Sequence, residues 1–181
     1  MGITQAHEIP SRAFKFPNEE PMPDLSKFLE RDVCDPPQLP TAPAEQFNYV
    51  KCAAKLIDTH GGIVGLKALA IGDLGNGFKS VALGDGFAPC LTRAHCGGNY
   101  YYSFYNQRKL KLTEYFMLQG IPPNRLKVPV DVGERQVKLM IGNSFAVPMI
   151  AAILDRAMYA AGLTDRPIKF TPGTGEDGNS A

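Results

Sequence analysis

Apolar residues recur along this chain at two spacings, and the spacing separates helices from strands. Over 44–60, Phe47, Val50, Ala54 and Ile57 return at three- and four-residue intervals. That predicts a helix with one apolar stripe, ended by Gly61-Gly62, with His60 where a helix dipole favours a cation. Leu110, Leu112, Phe116 and Leu118 lie near helical spacing, and Gly120 followed by Pro122-Pro123 stops that helix. Over 145–161, Val147, Ile150, Ala151, Leu154 and Met158 form the face a last helix would bury, with Gly162 as its stop. Between these lie β-like runs at 66–71 and 80–83, broken by glycine turns, and an aromatic run at 100–105. The tyrosines of that run would alternate between the two sides of a strand. Residues 122–135 read as a polar loop with short valine-rich pieces, and 136–141 lead into the last helix.

The ends of the chain are patterned differently. Residues 1–43 are rich in proline and acidic side chains and read as an extended connector. A short helix over 25–30 would dock Leu25, Phe28 and Leu29 on a neighbour. Residues 164–181 read as a tail, with 168–170 docking. Hydrophobic residues make up 44% of the sequence, enough for a folded core and against wholesale disorder. No stretch reads as a membrane span, and Met1 to Pro10 carry no signal-peptide pattern, so an intracellular protein is expected: nuclear in a eukaryote, cytoplasmic otherwise.

Net charge is only +1, but it is unevenly distributed. Across 87–127, Arg93, Arg108, Lys109, Lys111, Arg125 and Lys127 stand against Glu114 alone, a local excess suited to phosphates. In the same region Gly97-Gly98-Asn99 would let backbone approach a duplex, with Arg93, His95 and Asn99 within reach of bases or phosphates. A hairpin of packed tyrosines accounts for the aromatic residues without a ligand. Cys34, Cys52, Cys90 and Cys96 form no Cys-x-x-Cys pair, so no metal site is expected. Gly72, Gly75 and Gly77 are in the wrong order for a dinucleotide loop and read as turns.

Two motifs remain. One is Arg108-Lys109-Leu110, Glu114 and Leu118-Gln119-Gly120; the other is Gly142-Asn143-Ser144 with Pro148 four residues after the serine. Asn143 and Ser144 are capping types before an apolar run, and Pro148 suits a first helical turn. A helix entrance there would leave N–H groups for a polar or anionic ligand.

In this order the motifs resemble the C-terminal end of the cytosine-5 DNA methyltransferases. The ninth conserved motif of that family reads roughly Arg-x-Leu-(Thr/Ser)-x-x-Glu-x-x-Arg-Leu-Gln-Gly, and the tenth Gln-x-Gly-Asn-Ser-x-x-x-Pro. Lys111 stands where the family has its capping Thr or Ser, Met117 where it has Arg, and Met140 where it has Gln. Leu91-Thr92 before the glycine-rich loop is similar to the end of the family's target-recognition domain. The resemblance spans about 14–162.

It implies an α/β mixed chain with part of a methyltransferase fold: a small, mainly β recognition lobe and C-terminal helices that dock on a Rossmann-like catalytic lobe absent here. The expected division is a linker over 1–43, a recognition-like lobe over 44–112, a segment carrying both motifs over 113–163, and a tail over 164–181. The implied cofactor is S-adenosylmethionine, its site completed by Asn143 and Ser144. Glu114, Gln119, Gly120, Gly142 and Pro148 would be structural members of the motifs. Double-stranded DNA is the implied partner, held by Arg93, His95, Asn99, Arg108, Lys109 and Lys111, together with an N-terminal methyltransferase lobe and no membrane.

The family's catalytic chemistry needs a cysteine thiolate that adds to carbon 6 of a flipped cytosine. That cysteine sits in Pro-Cys-Gln, the assisting glutamate in Glu-Asn-Val and the cofactor loop in Phe-x-Gly-x-Gly, and this sequence contains none of them. Pro89-Cys90 is followed by Leu91, so Cys90 reads as a buried or half-buried structural thiol. No catalytic residue is expected, and no turnover by this polypeptide alone. The alternatives are a non-catalytic DNA-binding or regulatory module and an inactive gene fragment.

Overall fold

In a computed structural model of the chain, the described residues are 13–17, 23–34, 36–62, 69–75, 81–83, 87–125 and 127–165. The expectations for 66–68, Gly77 and 168–170 fall outside them, as do residues 1–12, 18–22 and 35 of the N-terminal connector. The chain divides into two compact units, Met22–Ser144 and Met1–Pro21 with Phe145–Ala181. The architecture is mixed α/β.

The first unit is built on a four-stranded antiparallel sheet of order β2-β1-β3-β4, with β1 Ile71–Asp73, β2 Val81–Leu83, β3 Tyr101–Ser103 and β4 Arg108–Lys109. Register pairs Gly72 with Ala82 and Tyr102, and Ser103 with Arg108. The two-residue period of β3 sends Tyr101 and Tyr102 to opposite faces. Both are buried, because both faces are covered. Tyr101 joins Ile71, Leu110, Tyr115, Phe116, Val137 and Ile141, while Tyr102 joins Cys52, Leu56, Leu74 and Phe104. Burying a side chain of this size is worth about 1.5–3 kcal/mol, so these two clusters supply most of the drive to fold.

Helix α1, Pro43–His60, covers the Tyr102 face. It has its proline in the first turn and ends at Gly61 with φ +74, as the sequence predicts. Its buried face differs from the predicted stripe. Asn48, Cys52, Ala53 and Leu56 point inward, while Phe47 and Val50 are each 61% exposed. The sheet decides this. The Asn48 amide donates to the Leu74 carbonyl at 2.7 Å, and the Tyr49 ring packs on Tyr102 and Phe104 at 5.2 and 5.3 Å. A hydrogen bond to an otherwise orphaned carbonyl and an aromatic contact outweigh burial of Phe47 and Val50.

The Tyr101 face is covered by the 3₁₀ turn Leu25–Lys27, by α3 Leu112–Leu118 and by α4 Glu134–Asn143, with the short α2 Arg93–Gly97 packed on α4. Leu25 and Leu29 are buried and Phe28 packs beside them, as expected for 25–30. Gly120 follows α3 with φ +72. Helix α4 takes in the expected lead-in over 136–141 and the last two residues of the expected polar loop. Gly133 is its N-cap and its N–H donates to the Gln136 side chain at 3.1 Å; Val137 and Ile141 supply the buried stripe.

In the second unit, α5 spans Val147–Ala160 with its proline in the first turn. None of its residues is buried. Val147, Met149, Leu154 and Met158 are between 39% and 55% exposed. Taken together, Glu134–Ala160 is long enough to cross a bilayer and holds an 18-residue stretch with a mean hydropathy of 1.7, which corrects the expectation that no stretch approaches that length. That is a statement of length and composition, and the helical run is broken at Ser144, where ψ is 161°.

Two glycines set how closely α2 approaches α4. A Cβ on Gly142 would lie 2.5 Å from the backbone of Arg93, and one on Gly97 would lie 2.4 Å from the Leu139 side chain. Gly142→Ala should therefore lose about 1–3 kcal/mol in urea unfolding, despite its better helix propensity, because backbone cannot retreat. Gly97→Ala should lose less, because the Leu139 side chain can rotate away.

Candidate functional site

The residues of the first motif converge on one buried ion pair. β4 carries Arg108 inward and the first turn of α3 carries Glu114 to meet it. The guanidinium donates from Nη1 to Oε2 at 2.8 Å and from Nη2 to Oε1 at 2.9 Å. Their side chains are 4% and 1% exposed. Glu114 also accepts from the backbone N–H of Lys111 at 2.8 Å and of Glu30 at 2.9 Å, so each of its oxygens holds two donors. The first of these satisfies the helix N-cap from within, without the Thr or Ser that Lys111 replaces. Burial alone would lower the Arg108 pKa, but hydrogen bonds to Glu114 and Asp32 more than reverse this and hold it charged.

A segment far away in sequence closes the network. Asp32 accepts from Arg108 Nη2 at 2.5 Å and from Lys111 Nζ at 2.5 Å. Glu30 accepts from Lys111 Nζ and from the Thr113 hydroxyl, both at 2.6 Å. Lys109 pairs with Glu45 of α1 at 2.7 Å. Hydrogen bonds from Arg108 and then Lys111 hold the Asp32 carboxyl down at about 2, and those from Lys111 and Thr113 lower Glu30. The same contacts with Asp32 and Glu30 raise Lys111.

As the chain stands, Arg108 is not an open contact for a polynucleotide: it is 3% exposed and its terminal nitrogens are committed to carboxylates. Lys109 and Lys111 are partly exposed but paired. Asn99, at φ +54, accepts from Lys138 Nζ at 2.9 Å and from the Tyr115 hydroxyl at 3.3 Å. His95 Nδ1 lies 2.5 Å from Asp73 Oδ2. Neither is the free recognition group expected. The space beside Gly97 and Gly98 is filled by Leu139 and Tyr100, so those glycines admit the chain's own side chains. Arg93 is exposed and makes no ion pair among the described residues.

The second motif sits elsewhere than expected. Gly142 and Asn143 are the last residues of α4, and Ser144 is its C-cap, whereas α5 starts from Ala146 with no side-chain cap. The reason is local: Ser144 turns its hydroxyl back to the Ile141 carbonyl at 2.7 Å, and its own N–H donates there at 3.0 Å. Gln119 donates to the same carbonyl at 3.1 Å, so the two motifs touch at Ile141. Asn143 and Ser144 remain exposed.

The thiols divide by burial. Cys52 is pushed up to about 11 and Cys96 to about 12 by desolvation, which leaves both unreactive. Cys90 is exposed, not the buried thiol expected, although its carbonyl accepts from the Tyr101 hydroxyl at 2.7 Å. Among the described residues no group of His, Cys, Asp and Glu could hold a metal ion.

Sequence reading missed Glu30, Asp32, Asn106 and Lys138. Asn106 has a local signal, a turn-former between the aromatic strand and Arg108. Glu30 and Asp32 have none, since their partners lie about 80 residues away. No family model matches the chain, and no curated protein or solved structure is detectably similar to it.

Glu114→Gln leaves Arg108 buried without its countercharge and should cost about 3–5 kcal/mol in urea unfolding. The depressed Asp32 pKa gives an acid-side dependence. Its stabilisation is present above the ordinary value of 3.8 and is lost as pH falls toward about 2. Asp32→Asn should flatten that part of a plot of unfolding free energy against pH; because Asp32 is largely exposed, solvent screening keeps the effect small.

Proposed function

We propose that this chain is the C-terminal, DNA-recognition and cofactor-site-completing portion of a cytosine-5 DNA methyltransferase, active only beside a catalytic lobe. The observation that carries the proposal is α5, a largely apolar helix that buries none of its own residues. Such a face is not left to water without cause, and a companion lobe is the cover the motif order suggests. The contact between the motifs at Ile141 supports the same reading, because residues of both build one junction.

Each part has a limited role. S-adenosylmethionine, when bound, supplies the methyl group. Asn143 and Ser144, exposed at the end of α4, are two polar contacts toward it and not a pocket, so most of its binding surface belongs to the catalytic lobe. Arg108, Glu114 and Gln119 brace the sheet and α4. Among the residues expected to meet DNA, Arg93 is the exposed cation without an ion-pair partner among the described residues. That weakens the reading of the chain as a stand-alone DNA-binding module.

Mixing the chain with a lobe that carries Pro-Cys-Gln and Phe-x-Gly-x-Gly should give methyl transfer from labelled S-adenosylmethionine to duplex DNA that neither part shows alone. Leu154→Asp, which places a charge on the exposed face of α5, should abolish the gain while leaving the unfolding midpoint within a few degrees. A mixture no more active than its parts sinks the proposal.

A further inference from the structure

The donors on the outer side of the Arg108 network are those a phosphate would take: a guanidinium N–H, an ammonium and a hydroxyl. Two carboxylates already fill them. Asp32 bridges Arg108 Nη2 and Lys111 Nζ, and Glu30 bridges Lys111 Nζ and Thr113 Oγ1, with both oxygens of each carboxylate engaged. We propose that Glu30 and Asp32 occupy phosphate positions on this face, so that duplex DNA binds there only by displacing them. The inference rests on the DNA-binding half of the function proposed above and adds its regulation.

Charge and exposure both support it. Arg108, Lys109 and Lys111 face Glu30, Asp32, Glu45 and Glu114, three cations against four carboxylates, so the face as it stands repels a polyanion. Neutralising Glu30 and Asp32 reverses its sign. Those two side chains are 42% and 46% exposed and Lys111 is 44% exposed, so their pairs are screened, weak and open to competition. Glu114 is different: it is buried and holds Arg108 in place whether or not the outer carboxylates stay.

The backbone of the acidic segment is held independently of its charges. Asn106 Nδ2 donates to the carbonyls of Glu30 and Asp32 at 2.5 and 3.0 Å, Cys34 N–H donates to the Asn106 carbonyl at 2.9 Å, and Leu25 and Leu29 are buried. None of these anchors uses the two carboxylates, which can swing away while the segment stays in place.

The test is fluorescence anisotropy of a labelled DNA duplex with the full chain, Glu30→Gln/Asp32→Asn, and a control, Asp58→Asn/Asp131→Asn, that removes the same charge from exposed positions elsewhere. The first variant should bind about tenfold tighter than the unaltered chain at roughly 50 mM salt. About two added phosphate contacts should erase most of that advantage by roughly 200 mM. Adding Lys111→Ala should reverse the gain. If the unaltered chain binds and the first variant binds no tighter, or the control gains as much, the masking is overturned and DNA binding stands. If no protein binds at roughly 50 mM, masking and DNA recognition fall together.

Discussion

A buried guanidinium needs a buried carboxylate, and much of the first unit is arranged to meet that need. Arg108 and Glu114 are close in sequence, but neither can be taken from water without the other. Their pairing brings the end of the sheet to the start of α3. The spare acceptor capacity of Glu114 then ties in the N–H groups of Lys111 and Glu30. Hydrophobic burial drives collapse of this unit, while the ion pair fixes which strand end meets which helix start.

The second constraint is steric. α2 and α4 meet at two glycines, and at Gly142 the obstacle is main chain. A glycine in the last turn of a helix costs helix propensity, and its use there is explained by what it lets pass. Gln119, Ile141 and Ser144 then close the same junction by hydrogen bonds. The residues that make the two motifs recognisable in the sequence are thus joined by packing, whatever ligand they serve.

The legible parts of the fold were those with local causes. The α1 boundaries, the stop after α3, and the proline in the first turn of α5 follow from glycine, proline and helical spacing. Which face of α1 turns inward was not legible, because an apolar stripe at Phe47 and Val50 loses to a carbonyl at Leu74 that only the folded sheet presents. Helix α4 was missed because valine and proline before Gly133 resemble a loop and its apolar stripe is narrow. At the site, the role of Glu114 was readable from its motif. The neutralisation of the basic residues was not, since Asp32 and Glu30 reach Lys111 across about 80 residues of intervening chain.

Placing Asn143 at the close of one helix rather than the opening of the next inverts its local polarity. The final turn of α4 directs carbonyl oxygens outward, toward the negative pole of the peptide dipoles. The peptide dipoles at that corner favour positive charge over negative, the reverse of the helix entrance the sequence suggests.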